Sequence, residues 1–574
     1  MKLILKEYLA SLKERDELDS VIPDLLSELG LNVFSRPGRG TRQNGVDVAA
    51  FGALNGGEKK LYLISIKAGD ISRSNWDSED PQSLRPSLNE IIDSYIPNRV
   101  PTKYKDKPIV ICLCFGGDIQ EQVRNQITGF TNQNTKGAVK FEEWNGDKLA
   151  EMIFSGFIQE KFVPKDFQSM LRKALALLDE PDISYKRYSE LVHAIVASEI
   201  KNDKAKIKVI RLLNICLWIL YSWCRKANNI ESAYLSSELT LLNAWELVKT
   251  SFKKEDRKSA TFRNAFLNIL RLYIEISNQY LIKILPETES LHSLSSAIRA
   301  SNPVDVNLRL FDVLGRIALS GVWTYWLEQV NGFAINKKSD DLKPKIELIS
   351  LGIVRMIENN SMLYTPYLDS QAIEIGITSW FLAMNSKNLT DLHEWYARLI
   401  QRVHFNFQIN DHYPSNINSY HEQIEFPMEK SDSYREEVTA GSILYPLLAA
   451  YSAILNYSDQ YKSVQSLQTE FLKHCNFQIW FPDETSETHF YLNDERHGAT
   501  LSHVITDRSE TDFLTQLFNE CDATSYFQNL SAVKYVFWPI IFVCCRHYRL
   551  PLPIHFLKSF LSYAPSNVQF SEAH

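Results

Sequence analysis

The sequence predicts an α/β domain over residues 1–165, a central mixed sheet flanked by helices, followed by a large, mainly α-helical region. Three observations carry that reading. Short apolar runs with strand character alternate with helix-period segments in the first part. One run, "PIVICLCF" from Pro108 to Phe115, is apolar on both faces, as suits a central strand covered by helices. Beyond about residue 188 the strand signals thin out and long amphipathic helical patterns take over.

The elements follow in order. Leu18, Ile22, Leu25, Leu26 and Leu29 recur at helical spacing, and Gly30 stands where a C-terminal stop belongs. "LNVFS" reads as a short strand and "RPGRGTRQNG" as a loop; two more strands lie between Asn44 and Gly69, around a glycine-rich turn. Ser87 to Ile96 reads as a helix, Pro108 to Phe115 as a strand, and Gly117 to Phe130 as a helix. "AVKFEEW" is a last strand and "GDKLAEMIFSGFI" a closing helix. The order is therefore α, three strands, α, strand, α, strand, α. Residues 166–187, which include the proline and mixed charges of "LDEPDISYKRY", are expected to be a linker. The helical region then spans 188–574, with polar breaks near 286–303 and 410–435 where it could subdivide. Within it, "FQIWFPDETSETHFYL" suggests a small β-hairpin, and Trp323, Trp326 and Trp538 are expected to anchor helical cores.

Composition removes several classes of function. A formal net charge of -7 over 574 residues argues against a non-specific nucleic-acid coat, although a local basic patch could still serve. Eight cysteines without a CxxC pair point to buried free thiols in a reducing compartment. Charges stand too early in "MKLILKEYLASLKERDELDS" for a signal peptide. The most apolar windows, "LLNICLWILYSW" and "SILYPLLAAYSAILNY", are expected to be buried core helices rather than membrane spans, which gives a cytoplasmic reading. No Walker-type, GxGxxG or GxSxG motif is present. His393 and His404 lack the spacing of HExxH zinc chemistry, and His489, Asp494, Glu495, His497 and His503 read as scattered surface residues.

One stretch holds charges where a sheet should not want them. In "NGVDVAAFGALNGGEKKLYLISIKAG", Asp47 interrupts one apolar run and Lys67 ends the next. Charged groups in strand patterns are costly unless compensated. Residues two apart on a strand share a face, so Ser65 and Lys67 project together with Leu61 and Leu63. A hairpin pairing the two strands brings Asp47 near Lys67: a carboxylate for a divalent cation beside an ammonium that can orient water.

"GVDV" and "SIK" resemble the PD-(D/E)xK restriction-endonuclease-like superfamily, whose α-β-β-β-α-β core agrees with the element order of the first 160 or so residues. The resemblance implies an Mg²⁺-dependent DNA endonuclease, with Mn²⁺ able to substitute. Asp47 would bind the metal, the main-chain carbonyl of Ile66 would add an oxygen ligand, and Lys67 would position the attacking water. Ser65 stands where the family has Glu or Gln. Some restriction enzymes of the superfamily carry a serine there and recruit an acid from another helix. Glu17 is the favoured candidate for that catalytic and metal-binding acid, with Asp19 and Glu90 as alternatives.

Arg36, Arg39 and Arg42, in the loop before Asp47, are candidate DNA-binding residues, because arginine forks suit phosphate oxygens. "RVPTKYKDKP" is a second basic run, or simply a charged loop. The two-part layout resembles bacterial anti-phage and restriction effectors, so the helical region is expected to sense, recruit or restrain the nuclease. Expected partners are DNA, a defence protein such as an ATPase, and a second copy of the chain. The competing reading is a nuclease fold that has lost its chemistry and serves as a DNA-binding or scaffold component.

Overall fold

The run Ile109–Phe115 is buried at every position and forms an interior strand of a five-stranded sheet in the computed structural model of the chain. The structure describes residues 2–36, 43–54, 56–78, 83–155, 163–198, 200, 202–253, 256–298, 300–330, 342–426, 431–493 and 499–563. It divides into two compact units: Met1–Thr240 with Ala260–Ile269, and Leu241–Ser259 with Leu270–His574.

The first unit opens with α1 (Lys2–Ser11), a π-helical turn (Glu14–Leu18) and α2 (Asp19–Glu28). Strands β1 (Asn32–Ser35), β2 (Val48–Gly52) and β3 (Lys60–Lys67) follow. Then come α3 (Arg73–Trp76), α4 (Leu84–Glu90), α5 (Ile96–Arg99), β4 (Ile109–Phe115), α6 (Glu121–Asn134), β5 (Val139–Trp144) and α7 (Gly146–Ser155). Helix α1 adds one element at the start of the expected order. Its signal is present in the sequence, since Leu5, Tyr8, Leu9 and Leu12 are all buried at i, i+3, i+4 and i+7 spacing.

The sheet runs β1-β2-β3-β4-β5 and is mixed, as expected: β1, β2 and β3 pair antiparallel, whereas β3, β4 and β5 pair parallel. Leu61, Leu63, Ile109, Ile111, Leu113 and Phe115 join one core cluster with Leu88, Ile91, Val123 and Ile127. Tyr62, Ile64, Ile66, Val110, Cys112 and Cys114, which alternate with them, are buried too, so both faces are covered. Each such aliphatic side chain contributes about 1.5–3 kcal/mol relative to exposure.

The boundary differs from the expected one. Residues 166–187 contain most of α8 (Lys165–Leu175) and the start of α9 (Pro181–Val196), and with α10 (Asp203–Lys226) these helices belong to the same unit as the sheet. Pro181 occupies the first turn of α9, where its missing N–H is not needed, so it starts a helix instead of marking a flexible joint. Ser184 Oγ then donates to the Ala174 carbonyl at 2.8 Å, tying α9 to α8. Helix α10 carries the window "LLNICLWILYSW". It is long and apolar enough to cross a membrane, and 67% of its most apolar stretch is buried inside the structure.

The second unit is mainly helical, as expected, and includes the long helices Pro303–Val330 and Lys343–Asn359. Helix Ala372–Ala383 and helix Leu444–Ile454 are buried along their whole length. Trp323 and Trp326 are buried with ring centroids 5.3 Å apart, and Trp538 packs 5.1 Å from Trp380. Asp312 pairs with Arg316 at 2.7 Å and with Arg546 at 2.9 Å, and both guanidinium groups are buried. The expected hairpin within 477–492 is replaced by a small sheet of β6 (Gly441–Ser442), β7 (Asn476–Pro482) and β8 (Ala499–His503). The chain cannot return directly, because Asp483 accepts from Thr485 N at 2.7 Å and opens a helical turn at Ser486–His489. His404 meets Glu470 at 3.2 Å and His393 packs on Tyr457, while His503 bonds Asn476. Asp494, Glu495 and His497 lie outside the described residues. All eight cysteines are buried free thiols.

Candidate active site

The C-terminal end of β3 is where the predicted charges meet. Val48 pairs with Ile64, so Asp47, one residue earlier, stands opposite Ser65 just outside the regular ladder. Its backbone N–H donates to the Ile64 carbonyl at 2.9 Å. Its side chain adds a second bond to β3, for Asp47 Oδ2 accepts from Ile66 N at 2.7 Å. Ile66 therefore turns its polar backbone to the Asp47 edge, and its carbonyl shares that edge. The chain reaches Asp47 through Gly45, with φ of 78°. A Cβ there would fall 2.0 Å from the Ser87 carbonyl oxygen of α4, so only glycine allows this approach.

Lys67 ends β3 and is buried, yet it has an anionic partner. Its Nζ donates to Glu14 Oε1 at 3.1 Å. Glu14 begins the π-helical turn, which is closed by Leu18 N donating to the Lys13 carbonyl at 3.0 Å. Asp47 feels all of these groups. Burial pushes its carboxyl up to about 6, the Ile66 N–H and the Lys67 ammonium oppose that shift, and the carboxylates of Glu14 and Asp19 add to it. Asp47, Lys67, Glu14 and Asp19 thus form one electrostatic cluster.

Glu17, the acid expected to complete the site, is engaged by two other groups. Glu17 accepts from Lys13 N at 2.8 Å and pairs with Lys208 of α10. Glu14 is the acid at Lys67, and the sequence reading passed over it. In an α-helix, residues three apart lie on one face. The wider i→i+5 closure of the π turn spreads Glu14 and Glu17 apart, and helical periodicity gives no notice of that. Asp19 acts on Asp47 as one of the alternatives, while Glu90 ends α4.

Ser65 is 1% exposed, and its Oγ has no hydrogen-bond partner. It faces the core side of β3 with Leu63 and adds no charge to the cluster. Arg36 is exposed directly after β1, whose end pairs near the start of β2, so it lies at the Asp47 end of the sheet. Arg39 and Arg42 lie outside the described residues. The basic run Arg99 to Pro108 precedes β4 and joins β3 at its start, where Leu61 N donates to the Pro108 carbonyl. That is the opposite end from Lys67. Its Tyr104 is buried against Phe51, 4.4 Å between centroids, with Lys103 over the ring.

The donor set is all oxygen, which suits a hard cation that keeps several waters. Among the described residues no group of three His, Cys, Asp or Glu side chains is close enough to hold a metal. A cation here would rest on Asp47, Glu14 and the Ile66 carbonyl, with water filling the remaining positions. Compared with known protein families, curated proteins and solved structures, the chain matches none of them.

Proposed function

We propose that the first unit is a divalent-metal-dependent nuclease of the PD-(D/E)xK type, acting on DNA, in which Glu14 takes the place of the acid that Ser65 cannot supply. The observation that carries the proposal is the meeting of Asp47, Glu14 and Lys67 at one end of β3, with Asp47 held near 6 by burial and by neighbouring carboxylates. Burial makes the ionised carboxylate costly, and a bound cation would offset that cost.

Asp47, Glu14 and the Ile66 carbonyl would hold Mg²⁺, which when bound neutralises phosphate charge and acidifies a coordinated water. Lys67 would then donate hydrogen bonds to the attacking water or to a phosphate oxygen, fixing the line of attack opposite the leaving oxygen. The water oxygen would bond to phosphorus as the P–O ester bond breaks, its proton passing to solvent while the leaving oxygen takes one up from solvent water. Arg36, at the same end of the sheet, would meet the phosphate backbone. In this reading the protein is a cytoplasmic anti-phage or restriction effector, and the helical region governs when it cuts, alone or with a partner ATPase.

A second reading keeps the fold and drops the chemistry. It is favoured by the neutral, unpartnered Ser65 and by the lack of a three-acid group among the described residues. Incubating supercoiled plasmid with Mg²⁺ or Mn²⁺ separates the two. Cleavage by the wild type and none by Asp47→Ala or Lys67→Ala supports the nuclease. A wild type that shifts DNA in a gel yet cuts with neither metal supports the binding component.

A further inference from the structure

Glu17 uses its two carboxylate oxygens for two different jobs. Oε2 accepts from Lys13 N, which lies just before the π turn and carries the carbonyl that closes it. Oε1 pairs with Lys208, far along the chain on α10. The pair is mostly shielded, with side-chain exposures of 18% for Glu17 and 26% for Lys208. Helix α10 is itself held firmly, with Val209, Ile210, Leu212 and Leu213 buried immediately after Lys208. Tyr8 of α1 senses both Glu17 and Cys216 of α10, so α1, the turn and α10 share one environment.

From this geometry we infer that Lys208 is a positioning residue for the acid pair. The inference rests on the metal-dependent nuclease reading. Lys208 fixes Glu17, Glu17 caps the N-terminal end of the π turn, and the turn aims Glu14 at Lys67. Five-residue closures of this kind are energetically poor and persist where the surroundings hold them. Lys208 supplies that hold from a helix outside the α/β elements, so any displacement of α10 loosens the seat of Glu14. The site is thereby tied to α10 of the same unit through the Glu17–Lys208 pair. Supporting groups of this kind typically alter metal affinity about 10–100-fold when removed.

The test uses the full chain and three variants: Lys208→Met, Lys208→Arg and Lys67→Ala. Mn²⁺ binding is read by electron paramagnetic resonance, cleavage by plasmid nicking, and the turn by hydrogen exchange at the Lys13 and Leu18 amides. The expected result for Lys208→Met is a Mn²⁺ half-saturation raised about 10-fold or more and faster exchange at those two amides. Exchange at Ile64 and Ile111 should stay slow, and Lys208→Arg should restore wild-type behaviour. If Lys208→Met fails to fold, Lys208→Gln replaces it, with the same direction expected. A wild type that binds Mn²⁺ and cuts, beside a Lys208→Met variant matching it in metal affinity and exchange, overturns the inference and leaves the nuclease reading standing. A wild type that neither binds Mn²⁺ nor cuts overturns both.

Discussion

Lys67 Nζ lies 3.1 Å from Glu14 Oε1, joining the end of β3 to a π-helical turn 53 residues earlier. This pair gives a buried lysine its counter-charge and brings a second carboxylate to Asp47. Glu14→Gln should therefore raise the Mg²⁺ or Mn²⁺ concentration for half-maximal cleavage by about 10-fold or more, with the fold intact. A metal titration of plasmid nicking, beside a circular dichroism melt, checks this. An unchanged metal requirement would remove Glu14 from the site.

Ser65 makes the opposite prediction. Its hydroxyl is buried without a partner, so Ser65→Ala removes a desolvated polar group at little packing loss. The variant should be as stable as the wild type or more so, by up to about 1 kcal/mol, and should cleave within about twofold of it. A loss of cleavage like that of Lys67→Ala would show that the hydroxyl takes part in the chemistry.

Asp47 ties stability to pH. Its folded pKa of about 6 lies above the unfolded value near 3.9, so the native state binds the extra proton between those limits. The associated stability is fully present below about pH 4 and is lost as pH rises through about 6. Asp47→Asn cannot ionise. In chelator it should melt with the wild type at about pH 4 and above it at about pH 8, by up to about 3 kcal/mol. Differential scanning calorimetry at the two pH values decides the matter, and equal differences at both would contradict the burial argument. In the wild type, added Mg²⁺ competes with the proton, so the acidic limb of cleavage should move to lower pH as Mg²⁺ rises.

Gly45 tests the backbone that delivers Asp47. With φ of 78° and a prospective Cβ 2.0 Å from the Ser87 carbonyl oxygen, Gly45→Ala should destabilise the first unit by about 2 kcal/mol or more. A lower urea midpoint with reduced cleavage is the expected reading.

In the second unit, Asp312 is the shared partner of buried Arg316 and Arg546, whose charges hold its carboxyl well below the usual carboxylate range against the effect of burial. Asp312→Asn leaves two buried guanidinium groups without their anion, and should cost about 3–5 kcal/mol. Thermal unfolding of the full chain should show this as a lowered transition, with a change below about 1 kcal/mol counting against the network.

Much was legible in the residues themselves. Alternating and continuous apolar runs locate all five strands of the first sheet, because a half-buried strand repeats every two residues and a central one buries both faces. The same alternation singles out Asp47 and Lys67, whose charges break it. The buried tryptophans and the helical character of the second unit follow from apolar spacing in the same way. Three matters needed the folded chain. Pro181 reads as a break from sequence and proves to be a helix start, so α8, α9 and α10 join the sheet's own unit. The partner of β7 is a later strand, since a local turn at Asp483 diverts the chain first. The choice between Glu14 and Glu17 depends on a π turn whose cap is held by Lys208, 191 residues beyond Glu17. Local periodicity encodes which face a residue takes within one regular element. It carries no information about an irregular turn held in place by a distant ion pair, and that turn decides which acid reaches Lys67.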